Sequence, residues 1–292
     1  MRRHLLSLAT VLALLVLYAP SFGQWATSEA RVEAAPAAQN REFRKTVELG
    51  AGGDLTLKTD KGSVRLTAWD RNQVEIFARI GAPENVSADY ARRAVEGARV
   101  EVYGDVRSLT VRSDFDGVPY KDGFINRSRS LPHIHYEIRA PRNLNISMEV
   151  DRSRLEISGF EGEARINTDR TPLTANNLAG GIRLNMDRGR ATLTGFKGTL
   201  DIEVDRTDVE LQSVEIEGDS RFEIDRGDIE LRLAGAQGLS LHANISRRGD
   251  FHSDFGVTLR SKRGKNFEGT INGGGPKLSI HADRAKVRLK RE

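Results

Sequence analysis

The sequence predicts an all-β chain wound as a single-stranded parallel β-solenoid, a right-handed β-helix, with one short helix and one long loop inserted. Three observations predict it. The dipeptide Asp-Arg recurs at Asp151-Arg152, Asp169-Arg170, Asp187-Arg188, Asp205-Arg206 and Asp225-Arg226, at spacings of 18, 18, 18 and 20 residues. Outlying copies occur at Asp60-Lys61 and Asp283-Arg284, with a degraded one at Ser246-Arg247-Arg248-Gly249; a fixed period of this length marks stacked structural units. With each Asp as position zero, offsets −5, −3, −1, +4 and +6 are apolar at all but Thr59, Thr168 and Ser220 of the 35 positions in seven copies. A composition that is 38% hydrophobic would place about thirteen apolar residues there by chance. Strict alternation has the period of a strand, and two short strands per unit cannot bury their apolar face alone, so equivalent positions must stack coil over coil at about 4.8 Å.

Taken in order, residues 1–24 read as a secretory signal peptide: Met1-Arg2-Arg3-His4, an apolar stretch from Leu5 to Tyr18 broken only by Ser7 and Thr10, then Pro20-Ser21-Phe22-Gly23-Gln24. Spanning a bilayer takes about 20 apolar residues, so cleavage is favoured over a membrane helix and no stable span is expected afterwards. Residues 25–40, with Ala34-Ala35-Pro36-Ala37-Ala38, read as a flexible leader. Residues 41–140 hold the N-terminal coils, with a helix near 87–96 opening at the N-cap candidate Ser87. Residues 113–133 have no period and read as a surface loop, the one place in which an irregular site would fit. Residues 141–292 are regular repeats of 18–22 residues, each a strand, a polar turn, a second strand and a corner carrying Gly. Offset +9 fills that corner with Trp69, Phe160, Leu178, Phe196 and Val214.

The chain has no Cys, which excludes thiolate metal sites, a disulfide scaffold and a lipobox for lipid anchoring. Its 45 Lys plus Arg stand against 41 Asp plus Glu, and Arg2 and Arg3 lie in the segment predicted to be removed, so overall charge supplies no argument for nucleic acid.

Several strings carry a resemblance: Phe43-Arg44-Lys45-Thr46-Val47, Gly62-Ser63-Val64-Arg65-Leu66 with Trp69-Asp70, Tyr136-Glu137-Ile138-Arg139-Ala140-Pro141, and Phe267-Glu268-Gly269-Thr270-Ile271 running into Asn272-Gly273-Gly274-Gly275-Pro276. Over about residues 43 to 290 the chain resembles the bacterial putative adhesin family, envelope β-solenoids of unknown function related to auto-transporter adhesin head domains. The resemblance implies fold and envelope location, periplasmic or extracellular, and no particular ligand. Strands expected to continue to Leu289 leave no room for a C-terminal membrane barrel.

Candidate chemistry centres on the turn columns Asp151, Arg152, Asp169, Arg170, Asp187, Arg188, Asp205, Arg206, Asp225 and Arg226. Guanidinium forks and carboxylates at a regular rise suit an envelope polysaccharide, or a protein partner, although Asp at a turn also bonds its own backbone and a charge-balanced ladder needs no ligand. Asp201, Glu203, Asp208, Glu210, Glu223, Asp228 and Glu230 point outward near the same turns, but no calcium-binding loop accompanies them. His133 and His135 share a strand face without a third metal ligand at a defined spacing. Gly273-Gly274-Gly275 lacks the helix a phosphate loop needs and reads as a corner. The basic run from Arg260 to Lys265, with Lys286, Arg288, Lys290 and Arg291, reads as polar capping of a solenoid end. A non-catalytic adhesin-like solenoid without cofactor or metal is therefore expected. The alternative is a carbohydrate-active β-helix enzyme, a polysaccharide lyase or hydrolase, which would need an irregular patch of converging carboxylates.

Overall fold

Alternating burial runs along almost every strand, and all thirty-five positions of the apolar register are buried, the three polar exceptions included. The computed structural model describes residues 40–120 and 130–292. The predicted signal peptide, the leader up to residue 39 and the centre of the predicted loop lie outside the described residues.

Strand β1 (Arg41–Glu48) precedes β2 (Asp54–Thr59) and β3 (Gly62–Trp69), which meet at the Asp60 turn. After β4 (Gln73–Gly81) comes helix α1 (Ala88–Gly97), where the Ser87 hydroxyl accepts from the Tyr90 N–H at 3.2 Å and Tyr90, Ala94 and Val95 are buried. Strands β5 (Arg99–Gly104) and β6 (Ser108–Asp114) pair antiparallel, and β7 (His133–Pro141) leads into the repeats. These are β8 (Asn145–Asp151), β9 (Ser153–Ser158), β10 (Glu161–Asp169), β11 (Leu173–Asn176), β12 (Ala179–Ile216), which continues round two turns, and β13 (Ser220–Leu233). Then follow β14 (Leu239–Ile245), β15 (Asp250–Ser253), β16 (Thr258–Arg263), β17 (Asn266–Ile271) and β18 (Lys277–Arg291).

Coil-on-coil pairing in the repeats is parallel and in register, with Ile146 beside Ala164 and Ala164 beside Ile182, and likewise Leu155, Leu173 and Ala191. All eighteen strands join one sheet that wraps around a contiguous core. The all-parallel expectation is corrected at both ends. There β4 pairs antiparallel with β1 and β7, β5 with β6, and β17 with β14 and β16. The reason is that a stacked column exposes unpaired strand edges, and a reversed strand that covers an edge cannot itself seed a further coil.

Spatial order also departs from chain order. The β2–β3 unit is sandwiched between the coil that contains β6 and β7 and the repeat β8–β9. At the other end β18 is sandwiched between β13 and the pair β14 and β15, so the terminal coil is the one around Ser246. The basic cluster therefore divides. Arg260 to Lys265 lie on the end hairpin, whereas Arg288 and Lys290 lie one coil inside and pair with Asp228 at 3.1 Å and Glu230 at 2.8 Å.

The predicted loop is shorter than expected. Residues 113 and 114 belong to β6, and Phe115 and Val118 are buried in the core. Tyr90 pins both sides of its undescribed centre: its hydroxyl donates to the Pro119 carbonyl at 2.7 Å and accepts from the Ser130 N–H at 3.1 Å.

One column of corners requires glycine. Gly162, Gly180 and Gly198 stack at φ of 142°, 112° and 141°, and a Cβ on Gly198 would lie 1.8 Å from the Gly180 carbonyl oxygen. Among the described residues no helix is long and apolar enough to cross a membrane.

Candidate functional site: the turn ladder and the groove at its head

Each repeat turn is built by three consecutive residues. Arg152, Arg170, Arg188 and Arg206 adopt the left-handed conformation, with φ of 44°, 51°, 60° and 49°, a geometry that costs a residue with a Cβ on the order of 1–2 kcal/mol. Local hydrogen bonds offset it. The hydroxyls of Ser153, Thr171 and Thr207 donate back to the carbonyls of Asp151, Asp169 and Asp205 at 2.9, 3.1 and 2.9 Å. The N–H groups of Arg152 and Arg170 donate to the Asp169 and Asp187 carbonyls of the next coil, both at 3.0 Å.

All ten predicted column residues lie along this one line of turns, with side chains 29–54% exposed. The Arg side chains link the coils. Arg188 bonds Asp187 at 2.9 Å and reaches back to Asp169 at 3.5 Å, and Arg206 bonds Asp187 at 2.6 Å and Asp205 at 3.1 Å. Arg226 clasps Asp205 with two bonds of 2.8 Å, and Arg284 reaches Asp225 at 3.1 Å. Partial desolvation pushes the Asp187 carboxyl up, but the hydrogen bonds from Arg206 and Arg188 outweigh it and hold the group below its ordinary value.

Of the seven outward carboxylates considered for calcium, all but Glu203 are engaged by neighbouring side chains, Asp228 by Arg288 at 3.1 Å. Asp201 pairs with Arg183 at 2.9 Å, Asp208 with Arg190 at 3.7 Å, Glu223 with Arg221, and Glu230 with Arg232 at 2.6 Å; Glu210 accepts from Gln212 at 2.7 Å. Among the described residues no three His, Asp or Glu side chains are grouped to hold a metal ion. His133 and His135 stack with ring centroids 6.3 Å apart, and His135 shares a hydrogen bond of 2.9 Å with Ser63.

The ladder is incomplete at its N-terminal end. Arg152 and Arg170 bond their own Asp at 2.8 and 2.7 Å, yet Arg170 makes no bridge to Asp151 and Arg152 none to Asp60. A groove of about 560 Å³ opens there, lined by Asp60, Asp151, Asn167, Thr168, Asp169 and Asn185 among others. Thr168 Oγ1 and Asp151 Oδ1 are buried there without a hydrogen-bond partner, and Asp169 Oδ1, likewise buried without a hydrogen bond, has the Arg188 guanidinium 3.5 Å away. Thr59 and Ser113 also line the groove, Ser113 Oγ links Thr59 Oγ1 to the Tyr136 hydroxyl with both distances 2.8 Å, and burial pushes the Tyr136 phenol far above its ordinary value.

The ten column residues are those that the Asp-Arg period picks out; the groove is not. Its only trace in the sequence is the pair of Thr residues at offset −1, and both read there merely as imperfections of an apolar register. A second recess, of about 290 Å³, sits at the other end between the terminal coil and the β16–β17 hairpin, with Phe251 and Phe267 edge to face at 4.9 Å and Lys262 at its rim.

Residues 142–290, the span of the parallel repeats, match the family model described as Toastrack DUF4097. The chain belongs to the Toastrack DUF4097 family. Its Toastrack segment comprises the whole Asp-Arg ladder from Asp151 to Arg284, while the groove reaches beyond it to Lys58, Asp60 and Arg112. No curated protein matches the chain. Among solved structures the Toastrack chain is similar to a putative cell adhesion protein from Clostridium sporogenes, at 12% identity over 87% of this chain and 100% of that one with a TM-score of 0.35. It is also similar to a putative lipid binding protein from Parabacteroides distasonis, at 13% over 85% and 96% with a TM-score of 0.31. A putative adhesin from Bacteroides fragilis gives 11% over 86% and 97% with a TM-score of 0.28. At these identities and superpositions the likeness says nothing about a ligand.

Proposed function

We propose that the chain is an exported, non-catalytic, adhesin-like protein that binds or organises polymers at the cell envelope, periplasmic or extracellular, through its line of Asp-Arg turns. The observation that carries the reading is the repetition itself. Charged groups recur once per coil, each Asp is matched by Arg, and the column offers a polymer the same contacts at every step. Each guanidinium has five N–H donors and spends one or two of them inside the ladder, leaving donors for sugar hydroxyls or acidic groups along a chain. Hydrolysis of a glycosidic bond asks for a carboxyl raised toward neutrality as proton donor, and the Arg bonds on Asp187 act in the opposite direction. Export rests on the Met1–Gln24 pattern, and kinship with auto-transporter heads on the short strings in the sequence. The solenoid is taken as right-handed because parallel strand crossovers overwhelmingly are.

The test is co-sedimentation of the purified chain with peptidoglycan and envelope polysaccharides, beside a variant in which Arg170, Arg188 and Arg206 are Ser. The reading predicts retention by at least one polymer and its loss in the variant, while the fold is kept. Equal retention of both proteins would remove the column from recognition, and retention of neither would turn the reading toward a protein partner.

A further inference from the structure

The apolar register has three polar exceptions, and two have an internal reason. Ser220 accepts from the Leu200 N–H at 3.0 Å and donates to the Gly218 carbonyl at 3.1 Å, and Thr59 bonds Ser113 at 2.8 Å. Thr168 has none: it is only 9% exposed, and its hydroxyl finds no partner. Leaving such a group unmade costs about 1–3 kcal/mol, so an apolar residue would be the more stable choice for the fold alone. At the same offset neighbouring coils carry Val150, Met186 and Val204. The orphan hydroxyl lines the groove at the head of the ladder, beside Asp151 Oδ1, which has no partner, and Asp169 Oδ1, which makes no hydrogen bond and faces Arg188 at 3.5 Å.

We propose that this groove binds a neutral polyhydroxylated ligand, a sugar unit of a glycan, whose hydroxyls donate to Asp151 Oδ1 and Asp169 Oδ1 and exchange a hydrogen bond with Thr168 Oγ1. The inference rests on the envelope-polymer reading above and gives it a specific locus. Three acceptors in two adjacent coils ask for a ligand with several donors. Charge balance selects a neutral one: Arg152 and Arg170 already bond the two carboxylates at 2.8 and 2.7 Å, Arg188 stands 3.5 Å from Asp169, and Lys58 neutralises Glu149 at 2.8 Å, so the groove has little net field for a cation. The amides of Asn167 and Asn185 on the same lining can donate as well as accept, which suits vicinal hydroxyls. At about 560 Å³ the groove lies inside the range of about 300–1,000 Å³ usual for small-ligand sites. An adjoining recess shares Asp60, Arg112 and Ser113 with the groove and extends the polar surface open to a longer glycan.

The test is calorimetric titration of the purified chain with neutral tetrasaccharides of glucose, mannose, galactose and N-acetylglucosamine, beside Thr168→Val and the single variant Arg206→Ser. Val has the shape of Thr and already stands at this register position in two other coils, so T168V is expected to fold and to melt at the same or a higher temperature. The proposal predicts that at least one tetrasaccharide binds, that T168V weakens it by about fivefold to tenfold, and that Arg206, which pairs only with Asp187 and Asp205, is not required. Unchanged saccharide affinity in T168V, no binding of any tetrasaccharide, or a Thr168-dependent calcium signal in place of saccharide would overturn it. If polymer retention still needs the three Arg residues in those cases, the column reading survives alone. Saccharide binding that needs Thr168, with polymer retention indifferent to the Arg residues, upholds the groove and sinks the column.

Discussion

Asp187 and His133 are both ionisable, both partly desolvated and opposite in what the fold asks of them. Asp187 must be charged, because Arg188 and Arg206 are bonded to it. Asp283, hydrogen-bonded by Ser246 and paired with Arg284, Glu230, bonded by Lys290, and Asp105, which accepts from the N–H groups of Arg107 and Ser108, are likewise held below their ordinary values. A carboxyl depressed in the folded state contributes stability that is present above its unfolded value, about 4, and lost as pH falls through the folded value. His133 is lowered instead, first by burial and then by Lys61 and His135, against the pull of Glu84. The fold therefore prefers neutral His133, and that contribution fades once pH drops below the unfolded value of about 6.5. Thermal melting is predicted to decline shallowly below about pH 6.5 and steeply below about pH 4, with the shallow step absent in His133→Gln. A melting temperature that rises on acidification from pH 5 to 3 would contradict these assignments.

At the scale of strands and turns, the repeats from Asn145 to Leu233 were legible because one physical rule acts in every coil: inward positions are apolar and the turn is polar. Val204 is 4% exposed between Met186 and Ile224 in the stacked core, and Val204→Asp is predicted to cost more than about 4 kcal/mol, since the buried carboxylate has no cation within the core. Urea unfolding measures it, and an unchanged midpoint would refute the register. What stayed illegible has the same origin. The end strands β1, β5, β16 and β17 are selected for what they cover, so they lack the period; β16 is exposed along its whole length and reads as a basic run. The loop is shorter than its lack of period implies because Phe115 and Val118, two isolated apolar residues without alternation, are buried in the core outside any strand. The Asp-Arg columns were visible from their spacing, whereas the groove depends on bonds that are not made, and an unpartnered Thr168 is indistinguishable in sequence from the satisfied Thr59.

For the described unit as a whole, the account depends on coils stacked in register and on a column closed at both ends by threading a chain segment inside its predecessor. The outermost coils are thereby held by antiparallel strands whose exposed edges are rich in charge, a standard protection against edge-to-edge association. The ladder extends to its C-terminal end only because β18 takes its place beside β13, which sets Arg284 against Asp225, Arg288 against Asp228 and Lys290 against Glu230. Stacking in simple chain order would put β14 there, and the basic C-terminal strand would lie at the end. Since the chain has no Cys, engineered disulfides decide between the two arrangements without interference. In the threaded arrangement Glu223 neighbours His281, and His281 neighbours Asn244 on its other side. Stacked partners sit within the roughly 4.4–6.8 Å between Cα atoms that a disulfide spans. The direct measurement is oxidation of two double-Cys variants, Glu223→Cys with His281→Cys and Glu223→Cys with Asn244→Cys, read by mass spectrometry of the folded protein. The account predicts rapid, complete cross-linking of the first and none of the second; cross-linking of the second in preference to the first would contradict it.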